Sequence, residues 1–141
     1  MPADSHRSVT ITRTSTGRYT AVNGRGGALE FGTGDVEGFT PVELFLAAIG
    51  GCTAVDVDTL TTRRAEPDSF VVLVDGHKVR DEGGNRMDEL SVTFRLSFPE
   101  GEAGDAARAL LPEVVKRSHD RLCSVSRTVE LGTPVASHIE T

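Results

Sequence analysis

The chain has 141 residues, the length of one ordinary domain. Of these, 38% are hydrophobic and 26% are charged, the balance of a soluble globular protein with enough apolar residues for a core. The formal net charge of −6 would repel both a phosphate backbone and an anionic membrane surface, so neither nucleic acid nor a membrane is an expected partner. We therefore expect a single domain over residues 1–141.

The first predicted elements form an antiparallel meander. Residues 8–14 alternate apolar with polar side chains, and residues 18–22 and 28–31 follow as short strands. The intervening turn, Asn-Gly-Arg-Gly-Gly at residues 23–27, holds residues that tolerate positive φ, as a tight reversal requires. Residues 32–38 are predicted to be a flexible connection.

A long helix is predicted to begin after Thr40. Thr40 can cap it, Pro41 suits the first helical position, and Glu43 can return the capping hydrogen bond. Apolar residues recur on both faces for about six turns, so we expect a central helix that is enclosed on most sides for its first four turns. Gly50 and Gly51 in its interior cost about 1 kcal/mol each relative to Ala, which predicts close approach of another backbone or helix.

The next segment predicts a hairpin of two strands. Residues 69–79 and residues 87–98 are the strongest strand patterns of the chain, and the second alternates strictly between apolar and polar side chains. A polar, Gly-rich stretch at residues 81–85 connects them. One face of this hairpin is expected to be buried and the other to face solvent.

A second helix and a closing strand complete the predicted elements. Residues 105–119 carry apolar side chains at helical spacing, and Pro112 is expected to kink that helix or split it in two. Residues 127–139 read as a closing strand that is interrupted near residues 132–134. These elements together indicate an α+β fold.

The amino-terminal residues and the cysteine count bear on the compartment. Residues 1–8 lack the apolar segment of a secretory signal. The longest stretch without charged or hydroxyl side chains, residues 44–52, is far shorter than the roughly 20 apolar residues of a membrane span. Two cysteines allow a single disulfide at most, and the four histidines lack the spacing of zinc ligands. We expect a cytoplasmic protein without a membrane span or a structural metal.

The two cysteines are the candidate chemical groups. Cys52 follows the glycine pair of the long helix, where a small buried core cysteine is the alternative interpretation. Cys123 lies near Arg117, His119 and Arg121, whose positive or protonatable groups favour the reactive thiolate. An inert thiol beside a surface charge cluster explains the same residues equally well. His119 as a general base is the weaker hypothesis, because a lone histidine is more often solvated.

The residues around both cysteines resemble those of the OsmC/Ohr family of organic hydroperoxide reductases. The first motif is Thr-Pro-Val-Glu-Leu-Phe-Leu-Ala-Ala-Ile-Gly-Gly-Cys-Thr-Ala-Val-Asp-Val at residues 40–57, and the second is Leu-Cys-Ser-Val-Ser at residues 122–126. The thiols are 71 positions apart, and the order of strands and helices matches over nearly the whole chain. The residues of both motifs are more similar to those of a less characterised OsmC-like branch than to those of the best-studied peroxidases.

The resemblance implies an OsmC-like fold, with antiparallel sheets around a long central helix and a second helix, in an intertwined homodimer with active sites between subunits. It implies that Cys52 is the peroxidatic thiol, which attacks the O–O bond of an organic hydroperoxide, releases the alcohol and becomes a sulfenic acid. Cys123 is then the resolving thiol that forms a disulfide, which a dithiol reductant reduces by exchange. No metal or bound redox cofactor is implied.

One position departs from the family pattern. Well-studied members carry a Glu directly after the Pro, where it helps to hold an Arg against the thiolate, whereas this chain has Val42. Glu43 is expected to lie on the helix face opposite Cys52 and to act as the capping partner at the helix start. Arg18 and Arg25, in the meander, are the candidate thiolate-stabilising cations.

This departure keeps other functions open. Without a stabilising cation Cys52 would react slowly, and Asp56, one helical turn away, would raise its pKa further if it lay close. A non-catalytic OsmC-like small-molecule binding protein is therefore one alternative. A hot-dog thioesterase, which also wraps a sheet around one long helix, is another, although the helix of residues 106–119 and the second cysteine motif argue against it.

Overall fold

The structure is a computed structural model, and it describes residues 5–35 and 37–141. Within these residues the elements are mixed helices and antiparallel strands, which confirms the α+β class. The chain divides into two compact units, Met1–Phe45 and Leu46–Thr141. The single domain over residues 1–141 stays a prediction.

The amino-terminal unit contains the predicted meander. Its strands β1 (Val9–Ser15), β2 (Arg18–Asn23) and β3 (Ala28–Gly32) pair antiparallel in the order β1-β2-β3. Tyr19 of β2 stacks on its partner Phe31 of β3 with ring centroids 5.5 Å apart. The Asn23 side chain accepts hydrogen bonds from two backbone N–H groups of the following turn, and Gly26 there has φ of 89°. The turn and strands are therefore as predicted.

Helix α1 (Pro41–Thr61) begins with the predicted capping box. The Thr40 N–H donates to Glu43 Oε1 over 2.9 Å, and the Glu43 N–H donates to Thr40 Oγ1 over 3.2 Å. Each hydrogen bond satisfies a backbone donor that the first turn leaves free. The predicted start and the length of about six turns are confirmed.

Only one face of α1 is buried. Ile49, Thr53 and Val57 lie on it, whereas Val55 is 65% exposed. The expected enclosure on most sides is therefore wrong for the single chain, because the hairpin and the second helix cover one face. By length and a mean hydropathy of 1.4 the helix resembles a membrane span, but core helices of soluble proteins meet the same criterion, so it does not by itself indicate a membrane.

The carboxy-terminal unit contains the predicted hairpin. Strands β4 (Ser69–Asp81) and β5 (Gly84–Ser97) pair antiparallel, and their register shifts between Asp75 and His77. A Cβ at Gly50 of α1 would clash with the side chain of Val74 on β4, whereas one at Gly51 would meet nothing within 4 Å. The close approach expected at the glycine pair therefore occurs at Gly50 alone, and a strand side chain makes it.

Helix α2 (Glu102–Arg117) continues through Pro112 and is not split in two, whereas the alternative expectation of a kink at Pro112 stays a prediction. Proline removes one backbone donor, but the buried residues Ala107 and Val114 on either side keep the helix packed. A π-helical turn (Ser118–Leu122) follows directly, and the Cys123 N–H donates to Ser118 O over 2.8 Å. Such wide turns are rare and occur often at functional sites.

The predicted closing strand is a helix. Helix α3 (Ser124–Leu131) begins after Cys123 and ends at Gly132, whose left-handed backbone (φ 64°, ψ 44°) is typical of a helix terminus. The prediction of a strand over residues 127–139 is therefore wrong, because capping groups at both ends favour a helix over residues 124–131. Residues 133–141 have no regular structure, and Val135 is 91% exposed.

Candidate functional site

The two cysteines meet in the carboxy-terminal unit. Cys52 comes from the middle of α1 and Cys123 from the residue before α3, and both are free thiols. The two side chains interact, since each thiol shifts the pKa of the other. Cys52 is half-buried, and Cys123 is 1% exposed. Two thiols far apart along the chain therefore form one reactive pair.

The first turn of α3 faces both sulfurs. Backbone N–H groups of Ser124 and Val125 donate towards Cys52, and those of Val125 and Ser126 donate towards Cys123. The Ser126 N–H lies 3.4 Å from Cys123 Sγ. Helix N-termini favour negative charge, because their N–H groups lack partners within the helix.

Ser124, Val125 and Ser126 belong to the second cysteine motif, but the helix that they begin is not among the predicted elements, because residues 127–139 read as a strand. The signals that would have indicated a helix are the hydroxyl residues Ser124 and Ser126 just after Cys123, and Gly132 followed by Pro134 at the other end. The functional residues of this turn are therefore readable from the sequence once helix capping is given more weight than β-propensity.

The two thiols have opposite pKa shifts. Burial raises the pKa of Cys52, and its hydrogen bond to Cys123 and the charge there raise it further, against the lowering effect of the Val125 and Ser124 N–H groups. Burial by itself raises the pKa of Cys123, but hydrogen bonds from Ser126, Cys52 and Val125 outweigh it and lower that pKa. Of the two thiols, Cys123 therefore loses its proton more easily.

The lowered pKa of Cys123 agrees with the prediction of a more reactive thiol, but the predicted cause of that shift is wrong. Arg117, His119 and Arg121 were expected to favour the thiolate, but the groups that lower its pKa are the neighbouring thiol and hydrogen-bond donors of α3. These interactions depend on the first turn of α3, a helix that the sequence-based prediction lacks.

A buried polar network holds the cysteine-bearing elements together. Ser118 of the π-helical turn is 0% exposed, and its Oγ donates to Asp56 Oδ2 of α1 over 2.7 Å. Thr53, the residue after Cys52, has its Oγ1 2.8 Å from the same Ser118 oxygen. Asp56 is not among the groups that raise the pKa of Cys52, because its carboxylate is directed to Ser118.

His119 joins the π-helical turn to α3. Its Nδ1 lies 3.0 Å from Asp120 and its Nε2 lies 2.8 Å from Glu130. The hydrogen bond with Asp120 and the charge of Glu130 raise the pKa of His119, which favours the protonated form. A protonated imidazole is a poor general base, so these contacts favour a structural role for His119.

An apolar cavity of about 390 Å³ lies beside the thiol pair. Neither cysteine lines it, but Ser126, which contacts Cys123, and Thr53, which follows Cys52, both do. The apolar walls include side chains from α1, β5 and α2, among them Ile49, Leu90, Val92, Phe94 and Val115. In the part of the chain that the structure describes, no three His, Cys, Asp or Glu side chains cluster as a metal site requires.

The candidate cations lie in the other unit of the chain. Arg18 opens β2 and Arg25 lies in the turn after it, and both are exposed. Val42 is half-buried in the first turn of α1, and the neighbouring Glu43 is the capping residue, as predicted. The role of either arginine beside a thiolate stays a prediction.

The sequence profile described as OsmC-like protein matches residues 32–138, a span that includes both cysteines. This chain belongs to the OsmC-like protein family. An uncharacterized protein from Mycobacterium tuberculosis is 35% identical over 127 residues, which cover 89% of this chain and 90% of that protein. An uncharacterized protein from Mycobacterium bovis matches to the same extent. The resemblance of the two cysteine motifs to this family is therefore confirmed.

Solved structures of OsmC-like proteins share the fold. A hypothetical protein from Aquifex aeolicus has a TM-score of 0.71 at 22% identity, covering 91% of this chain and 89% of its own. An OsmC-like protein of unknown function from Vibrio cholerae has a TM-score of 0.71 at 14% identity, and the match covers 89% of this chain and 94% of that protein. The organic hydroperoxide resistance protein OhrB of Bacillus subtilis has a TM-score of 0.53 at 17% identity, and the match covers 87% of this chain and 90% of that protein. The OsmC-like fold is thus confirmed, and the hot-dog thioesterase alternative loses its basis.

Proposed function

We propose that this OsmC-like protein is a thiol-dependent peroxidase that reduces organic hydroperoxides through a Cys52 sulfenic acid and a Cys52–Cys123 disulfide. The observation that carries the proposal is that two free thiols from distant parts of the chain lie close enough for each to shift the pKa of the other. Its fold is shared by a protein named for organic hydroperoxide resistance, which supports the same chemistry.

The proposed cycle begins at Cys52, because it is half-buried whereas Cys123 is 1% exposed. The Cys52 proton passes to the Cys123 thiolate as the Cys52 sulfur attacks the O–O bond. The departing alkoxide takes that proton and leaves as an alcohol, so Cys52 carries a sulfenic acid. The regenerated Cys123 thiolate then attacks Cys52, forms the disulfide and expels hydroxide, which solvent protonates.

The proposed substrates carry an apolar organic group. The cavity beside the thiols is lined by aliphatic and aromatic side chains, including Leu90, Val92 and Phe94 of β5. Burial of an alkyl or aryl group there would contribute about 25 cal/mol per Å² of apolar surface. Hydrogen peroxide lacks such a group, so we expect it to react more slowly than an organic hydroperoxide.

We also propose that the protein works as a homodimer and that a dithiol reduces it. The working form is a homodimer, in which Arg18 or Arg25 supplies the cation that compensates for the raised pKa of Cys52. A dithiol reduces the disulfide by exchange, and a reducing cytoplasm maintains such dithiols. The protein therefore acts in the cytoplasm.

The cysteine roles are tested by treating reduced protein with one equivalent of cumene hydroperoxide and measuring its intact mass. The wild type is expected to lose two hydrogens as the disulfide forms. Cys123→Ser is expected to gain one oxygen, which dimedone captures as a sulfenic acid adduct, because the resolving thiol is absent. Cys52→Ser is expected to show neither change, and Ser97→Ala, on the exposed edge of β5, is expected to match the wild type.

The same experiment distinguishes the proposed peroxidase from a non-catalytic OsmC-like binding protein. Val42 in place of the family Glu favours that alternative. A wild type that keeps both hydrogens with cumene hydroperoxide, yet forms the disulfide with the thiol oxidant diamide, would contradict the peroxidase and favour the binder. Oxidation of Cys52→Ser as fast as the wild type would contradict the role of Cys52.

A further inference from the structure

Ser126 contacts Cys123 through both its backbone and its side chain. Its N–H lies 3.4 Å from Cys123 Sγ, and its Oγ lies 3.3 Å from the same sulfur. When Cys123 carries its proton, the thiol donates to the serine oxygen. When Cys123 is ionised, the hydroxyl can rotate and donate to the sulfur instead. The contact therefore suits both forms of Cys123, and it is stronger with the charged one.

The serine hydroxyl distinguishes the two sulfurs. Cys52 receives its hydrogen bonds from backbone N–H groups of Ser124 and Val125, and it donates to Cys123. Cys123 receives the Ser126 hydroxyl in addition to backbone N–H groups. One side chain thus makes an otherwise similar pair asymmetric, because both sulfurs lie at the start of the same helix.

We propose that Ser126 is a positioning residue that keeps the charge of the thiol pair on Cys123, so that a reducing dithiol attacks Cys52 and expels Cys123. This inference rests on the proposed peroxidase cycle. The reductant thiolate forms a bond to Cys52 Sγ as the Cys52–Cys123 bond breaks, and the electron pair leaves on Cys123 Sγ. The second thiol of the reductant then attacks the first, frees Cys52 and departs as a cyclic disulfide. Of the two thiol protons of the reductant, one passes to Cys52 and the other to solvent.

Two observations support this direction of attack. Cys52 is half-buried and Cys123 is 1% exposed, so an external thiol reaches the Cys52 sulfur more easily. A thiol of lower pKa is also the better leaving group in disulfide exchange, and the hydrogen bonds from Ser126 contribute to the lowered pKa of Cys123.

Several charged groups on the neighbouring elements pair with other residues. On α1, Asp56 accepts a hydrogen bond from Ser118. In the π-helical turn, His119 and Asp120 pair with each other, and His119 also pairs with Glu130 of α3. The first turn of α3 carries no acidic residue. The neutral hydroxyl of Ser126 is therefore suited to set the balance between the two sulfurs.

The first test titrates the Cys123 thiolate by its ultraviolet absorbance in a Cys52→Ala background, corrected with the variant that lacks both cysteines. Ser126→Ala is expected to raise the pKa of Cys123 by about one, a tenfold loss of thiolate at lower pH. Ser126→Thr is expected to restore most of the shift, because it keeps a hydroxyl. Ser97→Ala, which removes an exposed hydroxyl at the end of β5, is the control and is expected to leave the pKa of Cys123 unchanged.

The second test identifies the sulfur that is attacked. Wild-type protein is oxidised with diamide, treated briefly with glutathione, quenched with N-ethylmaleimide and mapped by peptide mass. We expect glutathione on Cys52 and N-ethylmaleimide on Cys123, and Ser126→Ala is expected to slow the exchange about three- to tenfold. Because diamide forms the disulfide, this result does not depend on reactivity with hydroperoxides.

Two outcomes would overturn the inference. One is a pKa of Cys123 that is the same in Ser126→Ala, Ser126→Thr and the parent variant. The other is glutathione bound mainly to Cys123 in the wild type. Either can occur while cumene hydroperoxide still forms the disulfide, in which case the peroxidase survives and the role of Ser126 does not.

Discussion

Cys52 and Cys123 are chemically identical side chains that the fold makes different. Both are substantially shielded from water, which by itself raises the pKa of each. Their difference arises from hydrogen bonds, since Cys123 accepts them from Ser126 and from Cys52, whereas Cys52 is the donor within the pair. The site therefore pairs a half-buried thiol of raised pKa with a buried thiol of lowered pKa.

The coupling of the two thiols predicts opposite responses to their removal. Cys123→Ala is expected to lower the pKa of Cys52, because the interactions with Cys123 raise that pKa. Cys52→Ala is expected to raise the pKa of Cys123, because it removes an interaction that favours the thiolate. The measurement is the pH profile of iodoacetamide alkylation, read for each cysteine by peptide mass.

The sign of each shift follows from the reactive form. Iodoacetamide reacts with the thiolate, so a lower pKa moves the midpoint of the profile to lower pH. The Cys52 profile should therefore move to lower pH in Cys123→Ala, and the Cys123 profile should move to higher pH in Cys52→Ala. Shifts in the same direction, or no shift in either variant, would show that the two sulfurs do not interact in solution.

At the scale of elements, α1 carries two adjacent glycines with different surroundings. Gly50 faces β4, where Val74 occupies the space of a Cβ, whereas Gly51 faces away from any neighbour within 4 Å. The sequence alone treats the two residues alike, since both lower helix propensity by the same amount. Only the packing of β4 on one side of the helix distinguishes them.

Alanine at these two positions is expected to have opposite effects. Gly50→Ala should destabilise the protein by about 1–3 kcal/mol, because the new methyl group clashes with Val74. Gly51→Ala, the matched control, should stabilise it by up to about 1 kcal/mol through better helix propensity. Urea unfolding followed by circular dichroism measures both. A destabilised Gly51→Ala would instead show that another surface packs against this face.

Helix α3 shows how an element can be misassigned although its signals are present. Thr128 and Val129 have β-propensity, but the short segment begins with a capped turn at Cys123 and ends at Gly132. The capping groups outweigh the propensity of two residues. This helix matters for the site, because hydrogen bonds from its first turn lower the pKa of Cys123.

For the whole molecule, the exposed face of α1 is the feature that a single chain leaves unexplained. Ala48, Gly51 and Val55 are exposed on an apolar helix, and Val55 alone is 65% exposed. Apolar surface of this kind is typical of an interface. It agrees with the homodimer that the family resemblance implies, in which the second subunit would cover this face.

A charge at Val55 is expected to weaken the proposed homodimer. Val55→Glu would place an unpaired carboxylate in an apolar interface at a cost of about 3 kcal/mol or more, so the dissociation constant should rise at least about 100-fold. Sedimentation velocity over a range of concentrations measures the change. Val135→Glu is the matched control, because Val135 is 91% exposed in the carboxy-terminal segment. A wild type that sediments as a monomer throughout would contradict the dimer.

The sequence by itself determined the elements with strong local signals. The capping box of Thr40 and Glu43, the alternating strand at β5 and the two cysteine motifs each depend on residues close together in the chain. Local hydrogen bonding and side-chain periodicity follow from spacing alone. The family, the α+β class and the start of α1 were therefore predictable.

The tertiary structure decided how the site works. Thr53 and Ser118 are 65 positions apart, and Ser118 and Asp56 are 62 apart, so no local pattern reports that they meet. The same holds for Cys52 and the first turn of α3, which lie on different elements. Which thiol carries the charge depends on burial and on hydrogen bonds across these elements, and both quantities exist only once the chain has folded.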